Sequence, residues 1–273
     1  MSILGAIIVP HPPLIIPAVG RGREVQATID AYQATAEQVA AWKPEVLIIT
    51  SPHQIMYADY FHISPGRGAA GDMSAFGAAQ TKLRVEYDAP LRREIIRRAE
   101  AAGLRAGTLG ERDPSLDHGT FLPLYFLQEA GLDCPILRIG LSGFSPLDHY
   151  RLGQCIAQAV DALGRRAVFV ASGDLSHKLR NDGPYGYTPE GPEFDRQITE
   201  ALAAGDFLRF LTSPLRTGGG VRPAFLSDHG RCVGRTGCGI KAPQLRGRHR
   251  RGLRGSHVHC HRPGRRPPVW GTV

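Results

Sequence analysis

The segment ILGAIIVPHPPLIIP, residues 3–17, contains the feature that decides the fold. Its first seven residues are a continuous apolar run rich in β-branched side chains, which is typical of a buried strand. Pro10 cannot donate to a sheet ladder, so the strand ends before it, and His11 follows directly. A histidine just beyond the carboxyl end of a strand lies where open α/β sheets bind their ligands. Taken alone, such a histidine is more often a loop residue with a satisfied hydrogen bond.

Beyond this segment, the chain alternates between strand patterns and helix patterns. Further apolar runs occur in EVLIITSPH, CPILRIGLS and AVFVASGDLSH, and KLRVEYD alternates like a half-buried strand. Apolar residues at helical spacing predict four helices, over residues 23–43, 91–102, 150–163 and 193–204. This order predicts an α/β fold, specifically a three-layer α/β/α sandwich around a mostly parallel or mixed sheet.

Charge divides the chain near residue 215. Residues 216–273 contain twelve arginines and Lys241 against one acid, Asp228, which gives a formal charge of +12, whereas residues 1–215 carry −4. We therefore predict one domain over residues 1–215 and a basic, disordered tail over residues 216–273. No apolar run reaches the roughly 18 residues of a membrane-spanning helix. The five cysteines are irregularly spaced and suggest no disulfide framework, so we expect a cytoplasmic protein without a membrane partner.

Histidines recur at equivalent points of the predicted sheet. His53 follows the second apolar run, His118 lies in DPSLDHGTFLPLY, and His177 ends ASGDLSH. We predict each at the carboxyl edge of a strand or in a loop beside it, so that all would converge with His11 in a parallel sheet. Two histidines and one carboxylate leave open positions on Fe(II), and a histidine that is not a ligand can move protons. Asp117 and Asp174 are predicted to orient the histidines, with strand-end capping as the alternative.

Four motifs together carry a family resemblance: VPHPPLIIP, TSPHQIMYADYFHISPG, SLDHGTFLPLYFL and ASGDLSHKL. They resemble the class III extradiol ring-cleavage dioxygenases of the LigB-type superfamily, above all the dioxygenase-like half of the AmmeMemoRadiSam system proteins. The resemblance covers about residues 3–215. It implies Fe(II) as cofactor and an aromatic diol and dioxygen as substrates, with the ring cleaved next to the diol. Memo-like relatives keep the fold, so a metal-binding or protein-interaction module without ring cleavage is the alternative.

The same resemblance assigns roles to individual residues. It makes His11 and His53 the two histidine ligands of the iron. It makes His177 the acid–base residue that takes and returns a substrate proton, and it places His118 on the substrate side of the metal. The tyrosines of the loop expected to shape the substrate pocket are Tyr57 and Tyr60.

One part of the family pattern is missing. The third ligand of the family is a carboxylate near a late Glu-Cys-Gly segment, which this sequence lacks. Shifting the reading frame of residues 220–235 forward by one base allows codons that spell a segment beginning Glu-Cys-Gly. We therefore hypothesise a frameshift near residues 214–219, which would leave the domain C-terminally incomplete, remove the last strand of the sheet and weaken iron binding. Nothing in the spacing of Glu190, Glu193 or Asp195 favours them as replacements.

The tail allows two further interpretations. RGRHRRGLRG has the charge of a nucleic-acid-binding arm, but the tail has almost no aromatic residues to stack on bases. A zinc site is the other interpretation, but the cysteine spacing does not match a zinc knuckle. Its candidate ligands are Cys232, Cys238, His257, His259, Cys260 and His261. We therefore predict small-molecule partners rather than nucleic acid, and the oligomeric state stays open, a homo-oligomer included.

Overall fold

The computed structural model describes residues 3–20, 25–212 and 256–258. The strands are β1 (Ile3–Val9), β2 (Val46–Ser51), β3 (Phe61–His62), β4 (Gly68–Met73), β5 (Ala78–Glu86), β6 (Ala106–Gly107), β7 (Ile136–Gly140), β8 (Ala167–Ser172) and β9 (Ser256–Val258). The helices are α1 (Gln26–Ala41), α2 (Ala89–Ala101), α3 (His118–Glu129), α4 (Pro146–Ala162), α5 (Glu190–Ala204) and α6 (Arg209–Thr212). In the described part of the chain, none of these helices is long and apolar enough to cross a membrane.

The central sheet has five strands in the order β7–β2–β8–β1–β9. Strands β7, β2, β8 and β1 are parallel, and β9 is antiparallel to β1. Two small sheets, β3 with β6 and β4 with β5, lie outside it. The predicted mostly parallel sheet is confirmed, and the carboxyl ends of its four parallel strands share one edge.

Helices cover both faces of the sheet, as the apolar character of its strands predicts. Alternate residues of β1 show the division. Ile8 packs in a core cluster with α2, α4 and α5, whereas Ile7 and Val9 pack in a second cluster with α1 and α3. The three-layer α/β/α prediction is therefore confirmed, and the four predicted helices occur with boundaries shifted by a few residues.

The prediction that His118 lies at a strand edge or in a loop is wrong, because His118 is the first residue of helix α3. The Asp117 side chain caps this helix by accepting a hydrogen bond from the backbone N–H of Thr120. Gly119 and Pro123 have low helix propensity, so the sequence did not predict a helix here. Burial of its apolar side chains, including Phe121 at 0% exposure, outweighs those preferences.

The sequence did not predict a strand in the tail, and the loss of the family's last strand stays a prediction. Residues 256–258 form β9, which pairs with residues 6–8 of β1. An uncovered edge strand leaves unpaired N–H and C=O groups, and β9 satisfies some of those of β1. The rest of the tail, including the predicted disorder and the frameshift segment, lies outside the described residues, as do the side chains of the candidate zinc ligands. The domain boundary at residue 215 stays a prediction.

Candidate metal centre

Three imidazoles meet at the carboxyl edge of the sheet. One ring nitrogen each from His11, His53 and His118 lies within 4.8 Å of the others. The Nε2 atoms of His11 and His53 are 3.0 Å apart. The ring of His118 lies 4.0 Å from that of His53 and 5.5 Å from that of His11, measured between centroids. His53 and His118 lie 42 and 107 positions after His11 in the sequence, and the fold brings all three into one group.

Hydrogen bonds hold both the backbone and the imidazole ring of His11. Its backbone N–H donates to Asp174 Oδ1 at 2.9 Å, and its Nδ1 lies 2.8 Å from Ser172 Oγ. In the tautomer in which Nδ1 donates to that hydroxyl, Nε2 keeps its lone pair and faces His53. Ser172 ends β8 and is fully buried, so the neighbouring strand fixes the ring that follows β1.

His53 and His118 are positioned by a contact between the end of β2 and the start of α3. Asp117 accepts hydrogen bonds from Ser51 Oγ at 2.6 Å and from the backbone N–H of Thr120 at 2.9 Å. Ser51 Oγ in turn accepts from the backbone N–H of His53 at 3.1 Å. This chain of bonds joins the segment that carries His53 to the helix that carries His118.

Gly119 makes that approach close enough. A Cβ atom at position 119 would lie 2.4 Å from Ser51 Oγ and 3.2 Å from Cδ2 of His53. Ser51, Gly119 and Ser172 were not predicted as site residues from the sequence. The Asp-His-Gly triplet and the serines that end β2 and β8 were their signals in the sequence.

Asp174 and His177 adjoin the imidazole group. Asp174 Oδ2 lies 3.8 Å from Nε2 of His11 and 3.8 Å from Nε2 of His177. The His177 side chain is 34% exposed, and its ring lies 5.0 Å from that of Tyr185. Ser176, the residue before His177, donates its backbone N–H to Asp195 of α5 at 2.8 Å. Asp174 is therefore within reach of both a buried imidazole of the group and a solvent-accessible one beside it.

Burial dominates the electrostatics of the group. The pKa of His11 is lowered to about 4, chiefly by burial; Asp174 opposes the shift, whereas neighbouring His53 and His118 add to it. Burial also lowers the pKa of His118, and His53 adds to that effect. His11 and His118 are consequently neutral near pH 7, the form in which imidazole binds metals.

Tyr57 and Tyr60 fix a neighbouring loop. The Tyr57 hydroxyl donates to the carbonyl of Gly110 at 3.0 Å, and the Tyr60 hydroxyl accepts from the backbone N–H of Leu109 at 3.2 Å. Their rings meet edge to face at 5.8 Å. These bonds hold residues 109–110 against the loop that follows β2, and a role in a substrate pocket stays a prediction.

Three carboxylates late in the domain were weighed as replacement ligands: Glu190, Glu193 and Asp195. Glu193 forms an ion pair with Arg196 on the surface of α5, and Glu190 is exposed. Asp195 accepts from Ser176, and burial raises the pKa of its carboxyl group. None of the three belongs to the imidazole group found within the described residues.

Residues 5–214 match the family described as the catalytic LigB subunit of aromatic ring-opening dioxygenase. The chain belongs to the LigB family. The chain is 34% identical to the protein CA_C1420 of Clostridium acetobutylicum, over 76% of this chain and 46% of that protein. It is 29% identical to an Escherichia coli 2,3-dihydroxyphenylpropionate/2,3-dihydroxicinnamic acid 1,2-dioxygenase, over 62% of this chain and 54% of that enzyme. The chain thus spans about half the length of these curated relatives.

A crystal structure shares the fold. The protein JW3007 of Escherichia coli K12 superposes with a TM-score of 0.50 at 15% identity, over 84% of this chain and 88% of that one. At this identity the similarity shows the fold alone. It agrees with the mostly parallel sheet and flanking helices of this chain.

The donor set fits a first-row divalent metal. Three imidazole nitrogens within 4.8 Å of one another form a nitrogen-rich group, and imidazole suits iron, zinc, copper and nickel. The hydrogen bond at Nδ1 of His11 is the kind of support that metal-bound histidines receive. The group lies at the sheet edge where α/β proteins bind ligands.

Proposed function

We propose that this LigB-family chain is a non-haem Fe(II) extradiol dioxygenase that opens the ring of a catechol-type aromatic diol. The single observation that carries the proposal is the group of three imidazoles beside Asp174 and His177, in a chain of a ring-opening dioxygenase family. The corresponding substrates are a small aromatic diol and dioxygen. The corresponding location is the cytoplasm.

His11 and His53 are the proposed iron ligands, because their Nε2 atoms already lie 3.0 Å apart. Ferrous iron bound there would hold both diol oxygens and bring dioxygen next to the ring. The chain itself supplies orientation. His11 is fixed from β8 through Ser172 and Asp174, and His53 is fixed from α3 through Ser51. Donors held by buried strands keep their geometry when substrate arrives.

His177 is the proposed acid–base residue. Its Nε2 would accept the proton of a substrate hydroxyl and return it to an oxygen of the opened product. Asp174 Oδ2, 3.8 Å away, would stabilise the imidazolium formed in between. The His177 side chain is 34% exposed, so an incoming substrate could reach its ring. Tyr57 and Tyr60 are proposed to shape the pocket by holding the loop at residues 109–110.

Anaerobic iron loading followed by oxygen-uptake measurements tests this proposal. We expect the chain to bind one equivalent of Fe(II) and to consume oxygen only when a catechol is present. His177→Gln should retain the iron and lower the turnover rate by about 10²–10⁴-fold, which is the usual contribution of acid–base catalysis. Equal turnover in this variant would contradict the role of His177.

A second candidate function is a Memo-like metal-binding or interaction module. The observation that favours it is the scarcity of late carboxylates, since Asp228 is the one acidic residue after Asp206. Under this alternative, the chain would bind one equivalent of metal but consume no oxygen with any catechol. The same titration and uptake experiment therefore separates the two functions.

A further inference from the structure

We infer that His118 is the third protein ligand of the metal, so that this chain has a neutral three-histidine site in place of two histidines and a carboxylate. The inference departs from the substrate-side position that the family resemblance implies for His118. It rests on the proposed function only in requiring that a metal binds. It does not require ring cleavage.

Proximity is the first argument. A ring nitrogen of His118 lies within 4.8 Å of the donor nitrogens of both His11 and His53. Metal–nitrogen bonds of about 2.0–2.1 Å place neighbouring donors roughly 3–3.5 Å apart. The His11–His53 pair already meets that spacing at 3.0 Å. His118 reaches it with a side-chain movement on the order of 1 Å.

The second argument is that the described carboxylates beside the imidazoles, Asp117 and Asp174, already have hydrogen-bond partners. Asp117 is occupied by Ser51 and by both the backbone and the hydroxyl of Thr120. Asp174 Oδ1 is occupied by the backbone N–H of His11, and its Oδ2 lies 3.8 Å from two imidazoles. Asp174 is not a member of the mutually close donor group that the described residues form.

Rigid placement is the third argument. His118 is the first residue of the twelve-residue helix α3, not part of a loop. The glycine that follows it permits a contact with Ser51 that no other residue allows without displacement. The start of a helix carries partial positive charge, which opposes a cation, and the Asp117 carboxylate at that point offsets it.

The chemical consequence concerns charge and metal choice. Three neutral imidazoles leave the full 2+ charge of the metal uncompensated by its protein ligands. Such a site favours an anionic, chelating ligand such as a diolate in its open positions. Three-histidine catalytic sites are well known for zinc, so we expect Zn²⁺ and Co²⁺ to compete with Fe²⁺ here.

The test counts imidazoles on a bound probe metal. The full-length apo protein is loaded with Cu²⁺, pulsed EPR counts the coupled imidazoles, and a Co²⁺ titration gives the affinity. We expect three coupled imidazoles in the unaltered chain and two in His118→Ala. Loss of a direct ligand should weaken Co²⁺ binding by at least the roughly 10–100-fold seen when a supporting residue is lost. Circular dichroism verifies that the variant is folded, and His118→Gln provides a second variant.

Two matched variants make the result decisive. His177→Ala removes a neighbouring imidazole outside the group and should leave three imidazoles coupled. Asp174→Asn tests the rival carboxylate; it keeps a side-chain oxygen that can accept the backbone N–H of His11, so three imidazoles should still couple to Cu²⁺. Unchanged affinity and three coupled imidazoles in folded His118→Ala would overturn the inference, as would only two coupled imidazoles in the unaltered chain.

The imidazole count and the oxygen-uptake experiment test different claims, and either one can fail without the other. Three coupled imidazoles without catechol-dependent oxygen uptake would support the inference and refute the dioxygenase proposal. Oxygen uptake with only two coupled imidazoles would do the reverse.

Discussion

At the scale of single residues, the contact between Gly119 and Ser51 determines whether the imidazoles can meet. Helix α3 begins against the end of β2, and a hydrogen on Gly119 occupies the position where any other residue has Cβ. Ser51 cannot move away freely, because it is buried and bonded to both Asp117 and His53. A small residue therefore links the positions of two candidate metal ligands.

Gly119→Ala should lower both stability and metal affinity. The added Cβ would lie 2.4 Å from Ser51 Oγ, and overpacking of this kind costs about 1–3 kcal/mol. The measurements are chemical unfolding and a Co²⁺ titration. The control is Gly183→Ala, where a Cβ would meet its nearest atom at 3.4 Å and the free energy of unfolding should change by less than about 0.5 kcal/mol. Equal cobalt affinity in the two variants would contradict the account.

Some residues of the site were predictable from the local sequence, and others were not. His11 and His53 follow apolar runs that end at proline or serine-proline, so their place at the sheet edge was predictable from local sequence. Ser172 and Gly119 act through partners 161 and 68 residues away in the sequence, so the local signals mark their positions but cannot show these contacts. Proximity of His118 to the other two rings likewise depends on how α3 packs on the sheet.

At the scale of elements, a buried arginine links the segment that follows His53 to the loop that precedes His118. Arg138 of β7 donates to the carbonyl of Ser115 at 2.6 Å, to Glu111 at 2.8 Å and to Ser64 Oγ at 2.8 Å. Ser64 Oγ also accepts from Gln54, the residue after His53. Ser115 lies three residues before His118. One guanidinium group therefore holds both loops to the central sheet.

Arg138→Met should destabilise the fold and weaken metal binding. The side chains of Arg138 and Glu111 are 3% and 8% exposed, and removing one partner of a buried ion pair costs about 3–5 kcal/mol. The double variant Arg138→Met with Glu111→Leu should recover part of that loss, because no charge is then left buried without a partner.

The control for this prediction is Arg105→Met. Arg105 pairs with Asp59 at the surface, where both side chains are more than half exposed, and such pairs are worth about 0–1 kcal/mol. Thermal unfolding and a Co²⁺ titration measure the effects. A loss no larger in Arg138→Met than in Arg105→Met would refute the role of the buried pair.

The elements themselves were predictable where local signals agreed. The apolar runs of β1, β2, β7 and β8 and the helical spacing of α1, α2, α4 and α5 all matched the observed elements. Helix α4 begins four residues earlier than predicted, because Ser145 caps it and Pro146 is suited to the first turn. Helix α3 was missed because its burial, not its propensity, makes it a helix.

At the scale of the whole molecule, a segment of the tail pairs with the predicted domain at the edge of the central sheet. Strand β9 comes from the strongly basic tail and pairs with β1, the strand that leads to His11. A sequence-based prediction could not find β9, because a three-residue strand with Gly and Arg on its N-terminal side has no distinctive pattern. The available edge of β1 supplies the reason for the pairing.

Deleting residues 216–273 should leave metal binding intact. The three imidazoles and Asp174 all precede residue 175, so a Co²⁺ titration of the shortened chain should give the same affinity and spectrum. Loss of the β9 pairing should lower the Tm, by about 2–4 °C for each kcal/mol lost. Loss of cobalt binding on truncation would show that the tail supplies a ligand and would contradict the three-histidine assignment.

The most direct test of the central claim is the fate of labelled dioxygen. The full-length protein is loaded with Fe(II) under anaerobic conditions, mixed with a catechol panel, and exposed to isotopically labelled dioxygen, and the products are analysed by mass spectrometry. The account predicts a ring-opened product that contains both labelled oxygen atoms, formed at a greatly reduced rate by His177→Gln. Stoichiometric iron binding with every catechol recovered unchanged, or a product with its ring intact, would contradict it.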